Sequence, residues 1–254
     1  MSQVQYKTAL ITGAAHRIGM AMAVGLADDG WAVAVHYRRS ADAARGLVDG
    51  INRNGGRAVA VPADLTAEAE VEALIPSVCE ALGPLGLLVN NASVFEEDSA
   101  LSATRASWDA HMETNLRAPF VLIQSFASQL PSDAAGLVVN IVDQRVWNLT
   151  PHFTSYTLSK AGLWTLTQTM ALALAPRIRV NAIGPGPTLP SPRQTDKQFA
   201  RQCRTMPLRR GTTPAEIVDV LRYVIAAPAM TGQLIALDGG QHLCWAPSGN
   251  LVEE

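Results

Sequence analysis

The stretch Leu137–Ala175, LVVNIVDQRVWNLTPHFTSYTLSKAGLWTLTQTMALALA, passes from one secondary structure to another with polar chemistry at the join. Val138, Val139, Ile141 and Val142 make the apolar, β-branched run of a buried strand. Asp143 puts a carboxylate where that strand should end, and Pro151 stops an early helix in the polar loop that follows. From about Thr154 the spacing is helical. Tyr156 and Lys160, four apart, then share one helix face a turn from each other. An acid at a strand end, a phenol and an ammonium converging on one spot form a set suited to proton transfer. Taken alone, the three also fit a helix-capping Asp, an amphipathic Tyr and a solvated Lys.

Bulk properties narrow the class. The 254 residues are 48% apolar with a net charge of −2, which supports a substantial core and argues against wholesale disorder. No basic stretch is long enough for a nucleic-acid footprint, and no apolar run reaches membrane-spanning length. Cys79, Cys203 and Cys244 show neither metal-ligand nor redox pairing, so no metal site is expected and a reducing, cytoplasmic setting is. The N-terminal MSQVQYKTALITG lacks the pattern of a secretory leader.

Outward from Leu137, short apolar strands alternate with helices. Strands are expected at 8–12, 31–36, 57–61, 87–89, 178–183 and 234–237, with helices at 17–29, 41–53, 67–82 and 214–226. The span 104–130 reads as one long helix bent near Pro119, and 190–206 as polar and irregular. Strands apolar on both faces and alternating with helices predict a parallel sheet covered on each side. Ligands of such sheets bind at the carboxyl ends of the strands. Here that rim holds Gly13, His36, Asp64, Asn90, Asp143 and Gly184.

The first turn, Thr12-Gly13-Ala14-Ala15-His16-Arg17-Ile18-Gly19, has glycines that let backbone approach a pyrophosphate at a helix N-terminus. A plain strand-to-helix connection would look similar. After the second strand an NAD binder usually has an acid for the ribose diol; this chain has His36-Tyr37-Arg38-Arg39-Ser40. Two guanidiniums and a hydroxyl suit a phosphate dianion, so NADP(H) is the expected cofactor. Asp64-Leu65 would lie beside adenine, or Asp64 would cap the next helix.

The glycine turn, Asn90-Asn91-Ala92, Asn115, Tyr156 with Lys160, Pro185-Gly186 and Asp238-Gly239-Gly240, in that order and spacing, resemble the short-chain dehydrogenase/reductase family along nearly the whole chain. Three departures are informative: Arg17 replaces a glycine of the turn, Ser93 follows Asn-Asn-Ala, and Asp143 stands where the family has a catalytic Ser. Together with the His-Tyr-x-Arg-Ser turn and the Asp238–Leu243 tail, they are similar to the pteridine reductase branch, including dihydromonapterin reductases.

The resemblance implies one Rossmann-type doubly wound domain over residues 1–254, with a seven-stranded parallel sheet. It implies Asp143, Tyr156, Lys160 and Asn115 as the catalytic set, with Asn115 anchoring a relay water. Cofactor contacts are expected from Gly13, Arg17, Ile18, Gly19, His36 to Ser40, Asp64, Leu65, Asn91, Ala92, Ser93, Tyr156, Lys160, Pro185 and Gly186. Arg17, Ser93, Phe95, Asp143 and Tyr156 would contact the substrate, Phe95 by stacking on a pterin. The expected reaction is NADPH-dependent reduction of a pterin C=N bond. A reductase of a carbonyl substrate is the alternative, and a non-catalytic NADP(H)-binding protein a third reading. The Tyr156 helix is apolar almost all round and the 104–130 helix has a similar surplus, which predicts self-association, in the family as tetramers.

Overall fold

In the computed structural model, which describes residues 4–244, seven strands form one all-parallel sheet. They are β1 (Thr8–Ile11), β2 (Ala32–Tyr37), β3 (Arg57–Pro62), β4 (Leu87–Asn90), β5 (Gly136–Ile141), β6 (Ile178–Pro185) and β7 (Leu234–Leu237), in the order β3-β2-β1-β4-β5-β6-β7. The chain winds outward in both directions from the β1/β4 pair, so a crevice opens at the carboxyl ends of those two strands.

The helices are α1 (Arg17–Asp28), α2 (Ala41–Arg53), α3 (Glu68–Leu82), α4 (Arg105–Met112), α5 (Ala118–Gln129), α6 (Thr154–Leu174), α7 (Asp196–Thr205) and α8 (Pro214–Ala226). Adjacent residues Leu10 and Ile11 of β1 enter different cores, as strand alternation requires. Ile11 packs with Met22, Leu26, Leu221 and Val224 of α1 and α8, and Leu10 with Leu74, Val78, Leu122 and Phe126 of α3 and α5. Both faces of the sheet are therefore dry, which is why its strands read as continuous apolar runs.

Two expectations are corrected. The 104–130 helix is interrupted at Asn115, by a π-helical turn over Glu113–Arg117, and not at Pro119. Pro119 lies in the first turn of α5, directly after that π-helical turn. The segment after Pro190 contains an ordered helix, α7, started by a capping box between Thr195 and Gln198. No helix among the described residues is long and apolar enough to cross a membrane.

Candidate active site

The glycine turn is built by contacts from three strands. Thr12 Oγ1 accepts from the backbone N–H of Asn91 and of Ala92, both at 2.9 Å, and Asn91 Nδ2 donates to Thr12 O at 2.8 Å. Gly13 adopts φ +62°, and a Cβ there would meet Ala92 Cα at 3.0 Å. Arg17 also lies in the left-handed region, at φ +56°, where a side chain costs roughly 1–2 kcal/mol. Its guanidinium donates to Pro190 O at 3.0 Å and Leu189 O at 3.2 Å, so the strained residue ties the turn to the segment after β6. Asn91 and Ala92 line a groove beside this turn, and Ile18 and Gly19, in the first turn of α1, lie at its edge.

His36 borders the groove, is only 2% exposed and has both ring nitrogens occupied. Gly13 N–H donates to Nδ1 at 2.9 Å, so the ring proton is on Nε2, which faces Ala63 O at 3.1 Å. His36 therefore holds the turn and has no nitrogen left for a phosphate. Burial drives its pKa down to about 4 from 6.5, with the Ala63 bond and Asp64 opposing. Because the folded value lies below the unfolded one, stability is complete above pH 6.5 and is lost as pH falls towards 4. The loss is about 3 kcal/mol at 1.36 kcal/mol per unit. Urea unfolding at pH 7 and 4.5 should show wild type losing more stability than His36→Asn; equal losses would reject the assignment.

Arg38 and Asp64 line the groove and pair at 3.8 Å, while Tyr37, Arg39 and Ser40 do not line it. Asp64 does not cap α3, whose N-cap is Ala67. Its carboxylate instead accepts from Thr66 N at 3.0 Å and Oγ1 at 2.8 Å, which holds it below the usual carboxylate range. Leu65 is buried beneath it. A long groove with a helix N-terminus at one end and Arg38 at the other fits an extended dinucleotide phosphate.

A second cavity of about 290 Å³ continues past Ser93, and there the residues of the opening stretch meet. Tyr156 Oη donates to Asp143 Oδ2 at 2.8 Å. The other carboxylate oxygen accepts from Arg145 N at 2.8 Å, capping a short 3₁₀ turn and fixing the carboxyl towards the phenol. Lys160 Nζ donates to Ile141 O at 2.8 Å and lies 5.9 Å from the Tyr156 ring centroid. Burial lowers the Lys160 ammonium to about 8 from 10.5, with the Asp143 charge opposing, so it is charged near neutrality. Pro185 and Gly186 form the far wall; a Cβ on Gly186 would strike Asp238 Cα at 2.7 Å, so only glycine fits.

Behind Tyr156 stands a buried network that sequence reading missed. Asp98 O accepts from Phe153 N at 2.8 Å, and Asp98 Oδ1 from Ser155 N at 3.1 Å, so a distant loop caps α6. Glu96 N–H donates to His111 Nε2 at 3.1 Å, which places the ring proton on Nδ1, 2.6 Å from Ser155 Oγ. Ser155 Oγ in turn donates to Asp98. Burial works to raise Asp98, and the hydrogen bonds from Ser155 and Ser107 outweigh it. Asn115 serves the same bracing: its amide bonds both Val94 N (2.8 Å) and O (3.0 Å), and Ser159 Oγ (3.0 Å). Both amide hydrogens of Asn115 are thereby used in bracing the loop after β4 against α6.

Phe95 borders the cavity, but one of its faces is already stacked on Phe153 at 4.4 Å, and its ring meets Tyr156 edge-on at 4.7 Å. Arg193 reaches across from the segment before α7, donating to Phe95 O at 3.0 Å with its guanidinium 5.0 Å from the Phe95 centroid. Arg17 and Arg193 thus latch the same segment over the cavity from two sides. Among the described residues no cluster of three or more metal-ligating side chains occurs.

An acid–phenol–ammonium set beside a dinucleotide groove on this sheet defines a class, and comparison agrees. Residues 7–201 match the short chain dehydrogenase family model, and the chain belongs to that family. It is 31% identical over 242 residues to the 3-oxoacyl-acyl-carrier-protein reductase FabG of Staphylococcus epidermidis, covering 93% of this chain and 99% of that protein. Among solved structures it is similar to FolM Alternative dihydrofolate reductase 1 of Brucella suis in complex with NADP. That match has a TM-score of 0.93 and 48% identity, over 96% of this chain and 98% of that one. The Brucella canis FolM complexed with NADP gives 0.92 and 49%, over 95% and 96%.

Proposed function

We propose that this chain is an NADPH-dependent reductase of a dihydropterin, converting a ring C=N bond to CH–NH. The observation that carries the reading is the 2.8 Å hydrogen bond from Tyr156 to Asp143 inside the cavity. A carboxylate is a poor neighbour for an oxygen gathering negative charge, as a ketone oxygen does. It is a good one for a ring nitrogen that must gain a proton. NADPH supplies the hydride to the ring carbon. The Asp143–Tyr156 pair delivers the proton to the adjacent nitrogen, directly or through water, and is reprotonated from solvent.

Lys160 contributes its charge beside the phenol and would hold the nicotinamide ribose of a bound cofactor. Gly13, Ile18, Gly19, Asn91 and Ala92 line the groove that would hold the dinucleotide, Pro185 and Gly186 wall the adjoining cavity, and Arg38, which lines the groove with Arg39 and Ser40 following it in the chain, would meet the 2′-phosphate. Ser93 and Arg17 adjoin both cavities, where cofactor and pterin would touch. Phe95 offers the pterin the ring face not taken by Phe153.

Turnover of NADPH with dihydromonapterin or dihydrobiopterin tests the reading, with slower turnover expected from NADH. Reduction of a 3-oxoacyl thioester with no reduction of any pterin would transfer the assignment to the carbonyl reading, which the likeness to FabG favours.

Assembly and location belong to the same proposal. Trp108 on α4 and Leu158 and Leu172 on α6 are exposed at 39%, 45% and 85% in the single chain, apolar surface that a homotetramer would cover. Light scattering should give the mass of four chains; a single-chain mass would reject this. Three free cysteines suit a cytoplasmic setting.

A further inference from the structure

Three aromatic rings line the catalytic cavity: Phe95, Tyr156 and Phe199. Two of them have partners within the protein. Phe95 is stacked on Phe153 and meets Tyr156 edge-on, and the Tyr156 hydroxyl is bonded to Asp143. Phe199, on α7, stands apart. Among the described residues it pairs with no other aromatic ring and no cationic group. It packs against none of the apolar clusters that make up the core, and it is only partly buried. A phenylalanine half wetted beside a cavity has apolar surface still to gain from an occupant.

The seating of α7 explains how the ring comes to lie there. Lys197, Arg201 and Arg204 of the helix are exposed. Gln202, three residues after Phe199 and on the same helix face, is 7% exposed and lines the cavity as well. Gln194 Nε2 donates to Gln202 Oε1 at 2.9 Å, which pins that face from the segment before the helix. In the sequence of α7, DKQFARQCRT, Phe199 is the one large apolar residue, and it borders the cavity. It does not border the dinucleotide groove, so its ring is placed for the substrate and not for the cofactor's phosphates.

We infer that Phe199 is a specificity-determining residue whose ring stacks on a planar, conjugated substrate. This rests on the pterin reading, and it deepens it. The pyrimidine part of a dihydropterin is flat and conjugated like a nucleobase, and stacking a base on an aromatic side chain strengthens binding about 5- to 150-fold. A saturated acyl chain has no such face and gains only apolar contact. The helix that covers the cavity thereby favours a flat ring over a flexible chain.

The test is steady-state reduction of dihydromonapterin by wild type, Phe199→Ala, Phe199→Leu and Phe199→Tyr. Phe199→Ala should raise the pterin KM about 5- to 150-fold. The kcat should change less and the NADPH KM not at all, because the contact holds substrate and transition state alike and lies outside the groove. Phe199→Leu, apolar but without a π face, should lose a large part of the affinity, and Phe199→Tyr should keep most of it. If the Ala variant does not fold, the contrast between Leu and Tyr decides. Urea unfolding of the ligand-free proteins separates this from a structural role: a phenylalanine outside the core should leave the midpoint close to that of wild type. An unchanged KM in the Ala variant, or a Leu variant that binds as well as the Tyr variant, overturns the inference. A fall in midpoint typical of a core truncation makes the residue structural and overturns it too. Failure of the pterin reading shows separately, as wild type reducing a 3-oxoacyl thioester and no pterin, and it removes this inference as well.

Discussion

Asp143→Ser should lower kcat/KM for a dihydropterin by about 10²–10⁴, the usual contribution of a positioned acid or base. The fold should be unharmed. Asp143 caps the 3₁₀ turn at Gln144 through Arg145 N, and Ser is an equally good residue for an N-terminal cap. The substitution therefore removes the acid while keeping the local backbone. It also restores the hydroxyl that the family ordinarily uses, so any residual ketone reduction should be spared or raised. Measured on one preparation, the ratio of pterin to ketone turnover should collapse. An unchanged ratio would show that Asp143 takes no part in choosing nitrogen over oxygen.

Tyr156→Phe should be comparably damaging, and the double variant should be little worse than either single one. Oη of Tyr156 and Oδ2 of Asp143 are 2.8 Å apart, and in the proposed mechanism they hand on the same proton, so removing one should disable the other. Groups that act as a unit give strongly non-additive losses. Steady-state kinetics on the four proteins checks this, with NADPH binding as the control for folding. Losses that multiply would mean two independent contributions and would remove the shared-proton mechanism.

Much of this architecture was legible in the sequence because it is local. Apolar runs such as Val138–Val142 announce buried strands, and the four-residue interval from Tyr156 to Lys160 places both on one helix face. Asp143 was readable as an acid at a strand end. What escaped depends on residues far apart in the chain. Asp98 meets Ser155 across 57 residues, and His111 meets it across 44, with no local pattern to mark either contact. The basic pair Arg38-Arg39 draws attention to the turn and away from the structural task of His36 beside it. The place of His36 at the end of an otherwise apolar strand was the available sign that it is buried. Arg17 hid its conformation: nothing about an arginine suggests φ +56°, although the glycine usual at this position does. The latch formed by Arg17 and Arg193 needed the path of the segment between β6 and α7, which polar, aperiodic residues do not specify.

The proposed chemistry requires the acceptor of the proton to be a ring nitrogen held beside Asp143 and Tyr156. A crystal structure of the ternary complex with NADP⁺ and a pterin measures this directly. It should show a ring nitrogen within about 2.6–3.2 Å of an Asp143 or Tyr156 side-chain oxygen, or joined to one by a single water. A pterin bound with every ring nitrogen out of reach of both, and no bridging water, would contradict it.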